Sequence, residues 1–81
     1  MKYVYVLNSK KDSKQIYIGC TADLKKRIEK HNLGSVAYTN KFRPWKVIVY
    51  IGFTDSQTAW RFEKYLKSHS GRAFLRKRLI K

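Results

Sequence analysis

Two short β-branched and aromatic runs, Tyr3-Val4-Tyr5-Val6-Leu7 and Gln15-Ile16-Tyr17-Ile18-Gly19, are separated only by the polar stretch Asn8-Ser9-Lys10-Lys11-Asp12-Ser13-Lys14. This spacing constrains the fold most, because two such runs around a turn-prone loop form an antiparallel hairpin. A third run, Trp45-Lys46-Val47-Ile48-Val49-Tyr50-Ile51, opens on Pro44, which a strand tolerates at its start. Three helical windows take up the rest. Thr21 can cap the first, through about His31, with Asp23 in its first turn and Asn32 to Gly34 ending it. Thr54 and Gln57 fit a capping box for the second, through about Lys67, and Ser70 can cap a third from Gly71 to Leu79. The order β-β-α-β-α-α predicts an α+β fold, a three-stranded antiparallel sheet flanked by helices. With 81 residues the chain supports one core, and residues 1–81 read as a single domain.

Charge narrows the partners. Nineteen Lys and Arg against five acidic residues give a net charge of +14. Self-repulsion of that size disfavours the compact state, so a polyanion is the expected partner, nucleic acid before an anionic membrane surface. Trp60 to Lys81 alone carries +7 in 22 residues. One cysteine, Cys20, excludes an internal disulfide, and with His31 and His69 it makes a closed four-ligand zinc site implausible. No apolar run is long enough to span a membrane and no secretion signal is visible, which makes the cytoplasm the expected compartment.

Helix periodicity sorts the remaining polar residues. Ala59, Phe62 and Leu66 form the inward stripe of the second helix, and Glu63 falls on that same stripe. A carboxylate there is costly unless it is paired or holds a cation. In a chain with 19 cations a salt bridge is the ordinary explanation, and a metal ligand is the other. In the first helix Leu24 and Ile28 form the apolar stripe, with Arg27 and His31 stacked beside Ile28. Each of these has a plainer reading, Arg27 as a solvated charge and His31 as a dipole-favoured C-terminal residue. Tyr5 and Tyr17 fit equally as ordinary aromatic strand residues.

Taken in order, Tyr17-Ile18-Gly19, then Thr21-Ala22-Asp23-Leu24-Lys25-Lys26-Arg27-Ile28, then His31-Asn32, the chain resembles the GIY-YIG nuclease domain family. The strand Tyr3-Val4-Tyr5-Val6-Leu7 stands where that family's first motif stands, read as Tyr3-Val4-Tyr5, which puts the motif's tyrosine on Tyr5, or as Val4-Tyr5-Val6. The likeness continues through Thr39, Arg43-Pro44-Trp45, Ala59 and Glu63. In size it is most similar to the small stand-alone bacterial members. The resemblance implies a metal-dependent endonuclease that hydrolyses DNA phosphodiesters to 5′-phosphate and 3′-hydroxyl ends. It implies one Mg²⁺ or Mn²⁺ ion on Glu63 and phosphate-charge stabilisation by Arg27. Tyr17 becomes the general base or its close partner, Tyr5 positions the nucleophile, and His31 relays the proton. These residue types suit that chemistry, since a guanidinium fork and a cation oppose the charge of a phosphoryl transition state. A single carboxylate suits Mg²⁺, which keeps several waters.

Two departures accompany the likeness. The family's asparagine about a dozen residues beyond the glutamate is missing, with Leu75 twelve after Glu63 and Ser70 or Arg72 as substitutes. Cys20 follows Gly19 where repair members often carry Lys. The expected nucleic-acid contacts are Lys25, Lys26, Arg27, Arg72, Arg76 and Arg78, with DNA as the partner, RNA as a second polyanion, and a protein partner supplying specificity. Two function classes therefore stand side by side: a structure-selective endonuclease of DNA repair or recombination, and a non-catalytic nucleic-acid-binding module of the same fold.

Overall fold

The computed structural model describes residues 1–80; Lys81, the last cation of the basic C-terminal stretch, lies outside them. Strands β1 (Lys2–Ser9), β2 (Ile16–Thr21) and β3 (Trp45–Phe53) form one antiparallel sheet in the order β2-β1-β3. Helix α1 (Leu24–Leu33) follows β2, and α2 (Ser56–Lys67) and α3 (His69–Phe74) follow β3, with a wider π-type turn over Leu75–Leu79. The order is the β-β-α-β-α-α expected from the sequence.

Being central, β1 is covered on both faces, so Val4, Tyr5, Val6 and Leu7 are all buried without a polar alternation. Val4 and Val6 pack with Ile18, Ala59, Leu66 and Leu75 beneath α2 and α3. Tyr5 and Leu7 pack on the other face with Trp45, Tyr17, Leu24 and Ile28 beneath α1. The single core expected from the chain's length is thus divided in two, because the sheet runs through the middle and each face buries its own cluster.

A bulge reconciles β3 with both cores. Val6 pairs with Val49 and Leu7 with Val47, which leaves Ile48 as an extra residue. Trp45 and Val47 therefore join the α1 side, whereas Ile48, Val49 and Phe53 join the α2 side. A strict period of two would have sent Val47 and Val49 to the same face.

The helix starts differ from the sequence expectation in every case. Asp23, not Thr21, caps α1 by accepting from the Lys26 amide at 3.1 Å. Asp55, not Thr54, caps α2 by accepting from the Thr58 amide at 3.0 Å. Ser68, not Ser70, caps α3 through the Gly71 amide at 3.1 Å. At the first two, an ionised acceptor serves the positive helix end better than a hydroxyl one residue or two earlier. Thr21 instead finishes β2, its Oγ1 accepting from the Asp23 amide. The third helix is regular only to Phe74 rather than to Leu79, and β3 runs two residues past Ile51. Gly71 sets how α3 turns back on α2, because a methyl group there would collide with the Tyr65 carbonyl.

The connection from α1 to β3 is fastened at several points. Asn32 holds Trp45 at both ends of its peptide, Oδ1 accepting from its amide at 2.6 Å and Nδ2 donating to its carbonyl at 3.2 Å. The Trp45 indole N–H donates to the Thr39 carbonyl at 2.9 Å, and Ser9 Oγ donates to the Phe42 carbonyl at 2.5 Å. Thr39 is thereby held on His31 of α1, and Tyr38 beside it lies against the Tyr17 ring of β2. No helix among the described residues is long and apolar enough to cross a membrane.

Leu66 is the largest apolar side chain contributed by α2 that is almost wholly buried, at 1% exposure. Leu66→Ala should lower unfolding stability by about 2–5 kcal/mol, the usual cost of emptying a buried leucine site. Urea denaturation measures it, with an unchanged m-value showing that the native state stays compact.

Candidate active site

The site lies along β2, the edge strand, where residues reach it from both faces of the sheet. Tyr5 and Tyr17 point to the α1 face, and the pairing of Tyr5 with Gly19 explains the glycine: a methyl group at 19 would collide with the Tyr5 ring and hydroxyl. Tyr5 lies across that bare backbone and reaches α1. There its hydroxyl meets His31 Nε2 at 2.9 Å, and His31 Nδ1 meets Thr39 Oγ1 at 2.7 Å.

Donor roles follow along this chain. The Thr39 hydroxyl donates to the Val36 carbonyl at 3.3 Å, so it accepts from the His31 Nδ1–H. Nε2 is then the acceptor for the Tyr5 O–H, an assignment made from the network. Burial, with the Arg27 charge adding to it, holds the His31 imidazole below its ordinary value, in keeping with this neutral form. Burial and the neighbouring Tyr17 push the Tyr5 phenol up to about 12, against the pull of the Arg27 guanidinium. Tyr5 and His31 are each 0% exposed, so a substrate reaches neither directly. Tyr17, half-buried, is the member of the group that meets solvent, its ring 4.8 Å from His31 and 6.3 Å from Tyr5 between centroids.

Arg27 and Glu63 flank this group. Arg27, on the inward side of α1, shares a hollow with Lys2, Cys20, Thr21, Asp23, Lys26 and Lys30. Glu63, on α2, shares the adjoining hollow with Lys2, Cys20, Ser56, Gln57 and Trp60. Lys2 and Cys20 are common to both, so the two charges border one continuous surface. The Glu63 side chain is 15% exposed and accepts from Lys67 Nζ at 3.0 Å, the salt bridge that its place on an apolar stripe required. Burial, then the Glu63 charge, raises the Cys20 thiol above its usual value, which keeps it protonated and apolar at neutral pH.

Among the described residues no three His, Cys, Asp or Glu side chains gather as a ligand set, so nothing here suits a soft ion that needs a closed site. One carboxylate beside open surface fits a hard ion that keeps its waters.

Of the other residues expected from the sequence, Arg72 lines a hollow beyond Tyr17 with Ile16, Ile18, Tyr38 and Lys67. Arg76 lines the next, with Lys14, Gln15, Tyr38 and Arg72. Lys26 borders the Arg27 hollow, whereas Lys25 lies with Tyr3 and Tyr50 on the far side of α1. Arg78 is exposed and lines none of these surfaces. Leu75, in place of the missing asparagine, is 3% exposed and fills the α2-side core. Three contributors went unmarked in the sequence as site residues. Thr39 orients His31, Lys2 stands beside the Cys20 that replaces a lysine, and Lys67 pairs with Glu63. Thr39 stood in the family likeness without a role, Lys67 had a readable signal in its i,i+4 spacing from Glu63, and Lys2 had none.

The chain matches the model of the GIY-YIG catalytic domain over residues 1–78. It is 40% identical over 68 residues to a UPF0213 protein of Clostridium perfringens, covering 83% of this chain and 71% of that one. It is also 40% identical over 65 residues to the structure-specific endonuclease subunit slx1 of Talaromyces marneffei, which covers 73% of this chain but 17% of that longer protein. The solution NMR structure of a UPF0213 protein from Bacillus halodurans aligns with a TM-score of 0.57 at 32% identity, over 95% of this chain and 84% of that one.

Two stability measurements check the buried network. Gly19→Ala should destabilise by about 1–3 kcal/mol through overpacking, and the added loss should shrink in a Tyr5→Ala background, where the colliding ring and hydroxyl are both gone. The lowered His31 value fixes a sign for pH. Below about 6.5 the unfolded chain takes up a proton that the folded chain refuses, so stability falls as pH falls from that point toward the folded value. Thermal melts between pH 7.5 and 5 should show this slope, and His31→Gln should flatten it.

Proposed function

The chain belongs to the GIY-YIG family, and from that premise we propose that it is a divalent-metal-dependent endonuclease that hydrolyses DNA phosphodiesters. The observation that carries the reading is that Arg27 and Glu63 border one surface through Lys2 and Cys20, while Tyr17, on the same edge strand as Cys20, faces solvent in a hollow it shares with Lys67, the partner of Glu63. The name of the slx1 relative, a structure-specific endonuclease subunit, supports a structure-selective enzyme, and we place that activity in DNA repair or recombination as part of the same proposal.

A phosphate held at this edge brings negative charge against the guanidinium of Arg27, and that interaction strengthens as charge grows on the non-bridging oxygens. Lys2 and Lys26 add fixed positive potential around it. Tyr17 faces the attacking water, as its base or as the hydroxyl that orients it, and the water oxygen displaces the 3′-oxygen to leave a 5′-phosphate. Tyr5 and His31 act through Tyr17: buried and mutually hydrogen-bonded, they fix its ring and exclude water behind it. Glu63 would hold one Mg²⁺ or Mn²⁺ ion, which when bound supplies a Lewis acid against the scissile phosphate. Its bond to Lys67 is an i,i+4 pair of the kind worth only a few tenths of a kcal/mol, weak enough for a divalent cation to displace.

Nicking of supercoiled plasmid with Mg²⁺, and its loss in EDTA, tests the activity. Glu63→Gln should reduce cleavage at least about 10²-fold, the scale of losing one electrostatic component of the transition state, while DNA affinity holds or rises. Tyr17→Phe should likewise spare binding and reduce turnover. Wild-type protein that binds DNA but never nicks it with either ion would make the chain the binding module instead, with Leu75 at the asparagine position as its cause.

A further inference from the structure

Beyond Tyr17, away from Arg27, its hollow continues onto Tyr38, Arg72, Lys14 and Arg76, side chains to which the proposed hydrolysis gives no role. Tyr38 is 75% exposed, the most exposed aromatic side chain among the described residues. Its position is nonetheless fixed, since the next residue, Thr39, is 0% exposed and bonded to His31, Val36 and Trp45. Its ring sits 5.9 Å from the Tyr17 ring, tilted by 45°. That is the spacing of a direct aromatic pair and leaves no room for a third ring between them, so the outer face of Tyr38 is the free one.

Cations surround that face. Tyr38 and Arg72 form the shared wall of two neighbouring hollows, one with Ile16, Tyr17, Ile18 and Lys67, the other with Lys14 and Arg76. No carboxylate lines either hollow, and among the described residues Lys14, Arg72 and Arg76 have no ion-pair partner. A fixed, outward aromatic face among unpaired cations matches what a single-stranded nucleic acid presents, a base to stack and phosphates to neutralise. A continuous duplex offers no base face, because each base is covered by its neighbours.

We propose that Tyr38 is the stacking platform for an unpaired nucleobase of the DNA substrate, with Arg72, Arg76 and Lys14 holding the phosphates of that single strand. The proposal deepens the nuclease reading and rests on it for the identity of the polymer. It makes the substrate a junction: the strand to be cut crosses Arg27 and Tyr17, and its unpaired continuation lies over Tyr38 toward the π-type turn.

The test is a binding experiment in EDTA, which separates it from turnover. Fluorescence anisotropy compares a blunt duplex with the same duplex carrying a single-stranded flap, and a 2-aminopurine at the junction reports stacking by its quenching. Tyr38→Ala should weaken flap binding about tenfold, the scale of one lost base–aromatic stack, and abolish the quenching. The blunt duplex should change less than twofold. Tyr38→Phe should retain both signals, and the exposure of Tyr38 means that the melting temperature of each variant should stay near wild type. Equal affinity of wild type and Tyr38→Ala for the flap, or equal losses on flap and blunt duplex, would overturn the platform. A protein that nicks DNA but binds flaps independently of Tyr38 would sink this inference alone, whereas one that stacks a flap base on Tyr38 but never nicks would sink the nuclease reading alone.

Discussion

The buried hydrogen-bond chain from Tyr5 through His31 to Thr39 is the interaction on which the rest of the site depends. It joins the central strand, the first helix and the loop before β3, three segments with no covalent continuity at that point. Every polar side-chain atom buried among the described residues has a partner, so this network is complete. Completeness matters because a half-satisfied buried network costs more than an apolar core would. With it in place, β2 has to lie close enough for glycine to be the residue at 19, and Tyr17 is left as the outward end of an otherwise sealed group.

Much of this architecture was legible in the sequence because it rests on short-range patterns. The hairpin, the third strand and the stripe Ala59, Phe62 and Leu66 follow from periodicities that local residue types enforce. The caps were misplaced because hydroxyl and carboxylate candidates stood one or two residues apart at Thr21 and Asp23 and at Thr54 and Asp55, and serines two apart at Ser68 and Ser70. Choosing between such neighbours depends on where the packed helix begins. The bulge at Ile48 has no sequence signature, since it arises from serving two cores on opposite faces.

The site residues were legible as types and spacings, but not in their division of labour. Arg27 and His31 share one stripe of α1, yet Arg27 borders open surface while His31 is sealed inside. Nothing in an i,i+4 spacing distinguishes those fates; the burial of Tyr5 and the placement of Thr39 do. For Glu63 the two explanations open at the sequence level are not exclusive. A salt bridge to Lys67 lets the carboxylate sit on an apolar stripe, and its weakness leaves the oxygens available.

The placement of the site on β2 has a consequence for colloidal behaviour. An edge strand left open offers its free amides and carbonyls to any other extended chain, which is how sheets grow into aggregates. Covering the edge would close the surface beside Tyr17, so that protection is not open to this fold. The cations along it, with a net charge of +14 over the whole chain, instead keep two copies from approaching edge to edge. A polyanion that neutralises them removes the repulsion while it occupies the strand, so the molecule exchanges one form of shielding for another and is left bare only when its charges are screened by salt alone.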